Sequence, residues 1–78
     1  MENAYVLEIE TLNYDSFAHE LRTLGLDEAE IDAVYDKVRV FHNDVTNELG
    51  EGNVGTLLEI GFDRNDDPTF NYSSYPID

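Results

Sequence analysis

The stretch LDEAEIDAVYDKVRVFHNDVTNELG, residues 26–50, decides the fold of this chain. At the α-helical period of 3.6 residues, Ile31, Val34, Tyr35, Val38, Phe41, His42, Val45 and Leu49 fall within an arc of about 120°. Asp32, Asp36, Asn43, Asp44, Asn47 and Glu48 take the other side. Both ends are marked. Asp27 as N-cap and Glu30 at N3 match a capping box, Leu26 and Ile31 match a hydrophobic staple, and Gly50 stands where a left-handed C′ residue belongs. The pattern predicts a long amphipathic helix, apolar on one face and acidic on the other.

Upstream, residues 4–12, from Ala4 to Leu12, alternate, with Tyr5, Leu7 and Ile9 on one side and Val6, Glu8 and Glu10 on the other. This is the signature of a half-buried strand. Asn13 then has the character of an N-cap, and Tyr14, Phe17, Leu21 and Leu24 form the apolar stripe of a shorter helix closed by Gly25. Only Gly25 and Leu26 join the two helices, which implies a tight corner with both stripes on a common core.

Downstream, Glu51-Gly52-Asn53 reads as a turn. Val54, Thr56, Leu58, Ile60 and Phe62 alternate with Gly55, Leu57, Glu59 and Gly61 as a second strand. Asp63 to Pro68 forms a six-residue polar loop, and residues 69–75 return as a third strand with Phe70 and Tyr72 inward. Pro76 ends it, leaving Ile77 and Asp78 as an expected loose tail. The order β-α-α-β-β predicts one α+β domain: a three-stranded, mostly antiparallel sheet with a helical pair packed on one face. The first strand is expected beside the second or third, with a polar outer face bearing Glu8, Glu10 and Glu59.

Seventy-eight residues without cysteine exclude disulfides and thiolate metal sites. No apolar run approaches the ~20 residues of a transmembrane helix, and Met1-Glu2-Asn3 lacks a basic signal-peptide start, so a cytoplasmic protein is expected. The charge is the outlier. Eighteen Asp and Glu oppose Arg22, Lys37, Arg39 and Arg64, for a net charge of −14. A well-behaved small domain carries a magnitude of roughly 2–8, and the excess costs stability through self-repulsion. Such a chain repels nucleic acid and anionic membranes and attracts basic surfaces.

Catalytic and metal motifs are weak. His42 lies on the apolar arc, which suits a structural histidine, and His19 falls on an exposed face. Asp63-Arg64-Asn65-Asp66-Asp67-Pro68 begins like a calcium loop. It has Pro68 where glycine belongs and Ser74 where the bidentate glutamate belongs. Asn71-Tyr72-Ser73 matches a glycosylation sequon in a chain with no sign of secretion. No glycine-rich phosphate cradle and no nucleophile–histidine motif is present, so neither enzyme activity nor a cofactor is expected.

The carboxylates are the functional candidates. Glu28, Asp32 and Asp36 recur every four residues, about 6 Å apart along the helix, although like charges at that spacing destabilise it. Glu30, Asp44 and Glu48 follow the opposite border, and Asp63, Asp66 and Asp67 cluster in the predicted loop. A nucleic-acid duplex carries one phosphate charge per ~1.7 Å of axis, so a dense carboxylate array suits the same basic grooves. The expectation is an acidic nucleic-acid mimic that occupies the basic surface of a nuclease, restriction or CRISPR effector. Phage-encoded anti-restriction and anti-CRISPR inhibitors have this profile of small size, acidity and absent cysteine. An immunity or antitoxin protein capping a basic nuclease follows from the same physics. A halophile's housekeeping module, acidic for solvation, and a small calcium-binding module are the other readings. If affinity proved insensitive to charge, the expected interface would be an apolar patch of Phe70, Tyr72 and Tyr75.

Overall fold

The fold is that of a computed structural model, which describes residues 5–77. Its elements are β1 (Tyr5–Ile9), α1 (Tyr14–Thr23), α2 (Glu28–Leu49), β2 (Val54–Phe62) and β3 (Pro68–Pro76). The three strands form one antiparallel sheet in the order β1-β2-β3. The predicted α+β architecture is therefore the observed one, with β1 beside β2. Ala4, where the sequence alternation begins, lies outside the described residues. β1 stops at Ile9, three residues short of the predicted Leu12.

Period-2 geometry decides what each strand buries. Tyr5, Leu7 and Ile9 pair with Ile60, Leu58 and Thr56, which pair in turn with Phe70, Tyr72 and Ser74 on β3. This inner face meets Ile31, Val34, Val38 and His42 of α2 in a core that also holds Phe17, Ala18 and Leu21 of α1. Val38, Ile31, Leu58, Ile60, Leu21 and Thr56 are completely buried. His42 Nδ1 lies 2.8 Å from the Thr56 hydroxyl, so the polar pair of the core satisfies itself across the helix–strand interface. Tyr35 wedges between the helices, its ring 4.9 Å from Tyr14 and 5.5 Å from Phe17, edge to face with both.

The corner between the helices is built from backbone hydrogen bonds. Gly25 N donates to Arg22 O and Leu26 N to Leu21 O, a Schellman motif that needs the positive φ of Gly25. Leu26 is buried with Leu21, and Asp27 begins α2 with the predicted capping box: Asp27 accepts from Glu30 N and Glu30 accepts from Asp27 N. At the far end Gly50 has the positive φ expected, 97°, but its ψ of 131° lies outside the left-handed helical region. The Leu49 carbonyl is capped instead by the Asn53 side chain, whose Nδ2 would lie 2.6 Å from a Cβ on Gly50.

Three further expectations change. Leu49, placed on the apolar arc, is 55% exposed. Thr56 lies opposite His42, and the two strand residues back to Val54 span about 6.6 Å, or four to five helical residues. The sheet therefore ends near Thr46 and Asn47, and Leu49 lies beyond it. The β2–β3 loop has five residues, 63–67, because Pro68 already pairs with Phe62. Asp63 Oδ1 accepts from Asn65 N and Asp67 N, and Asp66 takes a φ of 63°. Finally, Pro76 pairs with Val54 and Ile77 N donates to Asn53 O, which holds the chain through Ile77.

A buried unpaired carboxylate costs several kcal/mol against a total stability of about 5–15 kcal/mol. Val38→Asp is therefore predicted to abolish the cooperative melt seen by circular dichroism, whereas Asp36→Ala, at an exposed position, keeps it. Equal melting of the two variants would contradict the helical phase described.

Candidate partner-binding surface

Glu2 and Asp78 lie outside the described residues. Of the sixteen other acidic side chains, all but the half-buried Glu30 are exposed. The surface is acidic because the core accepts only apolar groups and one self-satisfied histidine–threonine pair.

The positions along α2 follow one ridge. Residues 28, 32, 36, 40, 44 and 48 read Glu, Asp, Asp, Val, Asp, Glu. Steps of four residues advance about 6 Å and turn by 400°, so the ridge drifts about 40° per step around the helix. It starts on the side facing α1 and ends on the side facing β3. The nine carboxylates singled out in sequence accordingly do not form one array.

The first three carboxylates of the ridge each have a partner, two of them from α1. Arg22 grips Glu28 with two hydrogen bonds, Nε to Oε2 at 2.6 Å and Nη2 to Oε1 at 2.9 Å. Tyr14 donates to Asp32 Oδ1 at 2.6 Å, and Arg39 Nη2 lies 3.6 Å from Asp36 Oδ1. The Arg22 hydrogen bonds hold the Glu28 carboxyl below its ordinary range. The hydrogen bond to Asp32 is the main reason that the Tyr14 hydroxyl is pushed up. The row Glu28–Asp32–Asp36 is thus partly neutralised within the molecule. Sequence alone did not reveal this, because Arg22 and Tyr14 reach it only once the Schellman corner folds α1 back.

On the β3 side, Glu30 is spent on the capping box, while Asp44 and Glu48 receive no hydrogen bond or ion pair from the described residues. Asp63 is turned inward onto its own loop amides, and Asp66 and Asp67 are exposed beside it. No group of three or more His, Asp or Glu among the described residues is placed to hold a metal ion. The helices of the described residues are likewise too short or too polar to cross a membrane.

Two features bear on chemistry. A hydroxyl beside an imidazole is the arrangement of an activated nucleophile, but Thr56 is fully buried and His42 is 7% exposed, which leaves a substrate no approach. Between α2 and β3 runs an open groove of about 520 Å³ floored by Val40, Phe41 and Tyr72. The sequence signal for it was Val40, a valine at the one non-acidic step of the ridge. Phe70 and Tyr72 face the same side as the groove, but Tyr75 points to the other sheet face. There its ring covers Gly55, where a Cβ would lie 2.5 Å from Tyr75 Cζ. The apolar patch of Phe70, Tyr72 and Tyr75 suggested by sequence is therefore split between two faces.

No protein-family model, curated protein or solved structure matches the chain.

The Arg22–Glu28 pair makes a pH prediction. A carboxyl whose folded pKa is depressed contributes stability above its unfolded value, and that contribution is lost as pH falls through the folded value. In Arg22→Gln the Glu28 carboxyl should titrate at higher pH than in the wild type, read by the pH dependence of its side-chain carbon shift in NMR. Coincident titration curves would show that the guanidinium does not grip Glu28 in solution.

Proposed function

We propose that this protein is a non-catalytic inhibitor that presents carboxylates in place of nucleic-acid phosphates and occupies the basic surface of a nucleic-acid-handling partner. A restriction or CRISPR effector, as targeted by phage anti-defence proteins, is the partner class that fits best. The observation that carries the reading is a net charge of −14 kept on the exterior of a folded 78-residue domain. Only Glu28 and Asp36 have a salt-bridging cation among the described residues. Uncompensated exposed charge contributes nothing to a small core and costs self-repulsion. Against a basic surface it steers encounter and raises the on-rate.

Within that surface the carboxylates without an internal cation weigh most. Asp44, Glu48, Asp66 and Asp67 receive no salt bridge from the described residues, while Glu28 and Asp36 do and Asp32 is shared with Tyr14. The protein itself binds neither nucleic acid nor membrane, for which its charge has the wrong sign.

The direct test is competition. Purified guide-loaded RNA-guided nucleases and type I restriction enzymes are titrated with this protein and labelled duplex DNA. The expected result is displacement of DNA from at least one such enzyme without contact between this protein and the DNA. The double substitution Asp44→Asn with Glu48→Gln is expected to slow association severalfold, and Glu28→Gln to slow it less. Enzymes that hold DNA unchanged at saturating inhibitor would refute the proposal for those classes.

A further inference from the structure

The groove between α2 and β3 differs electrostatically from the rest of the surface. Lys37 and Arg39, half of the four cations in the chain, line it together with Asp36 and Asp44. The local charge sums to zero on a molecule of −14. Its floor is apolar: Phe41 and Tyr72 pack with ring centroids 6.1 Å apart, and Val40 is 52% exposed beside them. Val40 also interrupts the acidic ridge at its middle, one helical step from Asp36 and one from Asp44. The arrangement is an apolar centre within a charged rim.

Rim charges mainly set association rates, whereas a buried apolar anchor in a dry pocket sets the dissociation rate. A lysine or arginine entering the groove would meet Lys37 and Arg39 as well as Asp36 and Asp44 and so gain no net attraction. An apolar side chain meets no net charge and covers Val40, Phe41 and Tyr72. Basic surroundings suit that side chain, because beyond the groove exposed carboxylates far outnumber the two remaining cations, Arg22 and Arg64.

We infer that the groove of Val40, Phe41 and Tyr72 is the anchor socket of the interface, and that it receives one protruding apolar side chain set in a basic surface of the partner protein. This rests on the proposed function and adds to it where the affinity lies: carboxylates bring the partner in, and the groove retains it.

The test uses two synthetic lysine-rich peptides, identical except for a central tryptophan or alanine, titrated into the full chain at low salt and followed by NMR. The tryptophan peptide is expected to bind about tenfold more tightly, with shifts centred on Val40, Phe41 and Tyr72. Val40→Glu completes the acidic ridge and adds one negative charge. It is expected to bind the alanine peptide at least as tightly as wild type while losing the tryptophan advantage. An interface made of charge alone predicts tighter binding of both peptides by Val40→Glu, the tryptophan peptide included. Equal affinity of wild type for the two peptides, or a tryptophan advantage surviving in Val40→Glu, overturns the socket and leaves the proposed function standing. Failure of both peptides to bind removes the proposed function as well. The wild-type comparison decides the matter even if Val40→Glu folds poorly.

Discussion

The structure depends on the burial of one stripe of α2 against β2. Ile31, Val34 and Val38 lie over Leu58 and Ile60, and His42 closes the row on Thr56. A domain of this size has a single core, and each fully buried Val, Leu or Ile side chain contributes about 1.5–3 kcal/mol. That contact must offset both chain entropy and the repulsion among carboxylates. It does so by segregation: among the described residues no acidic side chain is fully buried, and the only buried polar side chains are His42 and Thr56, which bond to each other.

Placing α2 on β2 also sets the geometry of the acidic ridge. One flank of the helix then faces α1 and the other faces the edge strand β3. The four-residue ridge, drifting around the helix, visits both. At its start the charges are met by Arg22 and Tyr14; at its end they are left to solvent around a neutral, apolar groove. The same helical twist therefore divides one periodic sequence feature into a half with internal partners and a half without them among the described residues.

The local features were legible because their signals lie within a few residues. Asp27 with Glu30, Asn13 before Tyr14 and Gly25 after Leu24 each announce a helix end, and the alternation in residues 54–75 announces a hairpin. The non-local features were not. Strand order depends on pairing across two helices, and the exposure of Leu49 depends on where the sheet ends under α2. The grip of Arg22 on Glu28 spans the corner between two helices and needs its backbone geometry. The grouping of Tyr75 with Phe70 and Tyr72 was avoidable, since period 2 along β3 already sets residue 75 on the opposite face from 70 and 72. The exposure of the carboxylates, Glu30 apart, was legible from the helical and strand periods, but which of them meet an internal cation became visible only in three dimensions.

The central claim is that the charge is surplus to folding and held for a partner, not required for hydration of a salt-adapted chain. Thermal melting of the free protein as a function of sodium chloride tests it most directly. At about 10 mM salt, where the Debye length is about 30 Å and self-repulsion is strongest, the account predicts a single cooperative transition. Its midpoint should rise by several degrees towards ~0.15 M salt and flatten as screening is completed. A chain unfolded in dilute buffer, which acquires a cooperative transition only at molar salt, would contradict it.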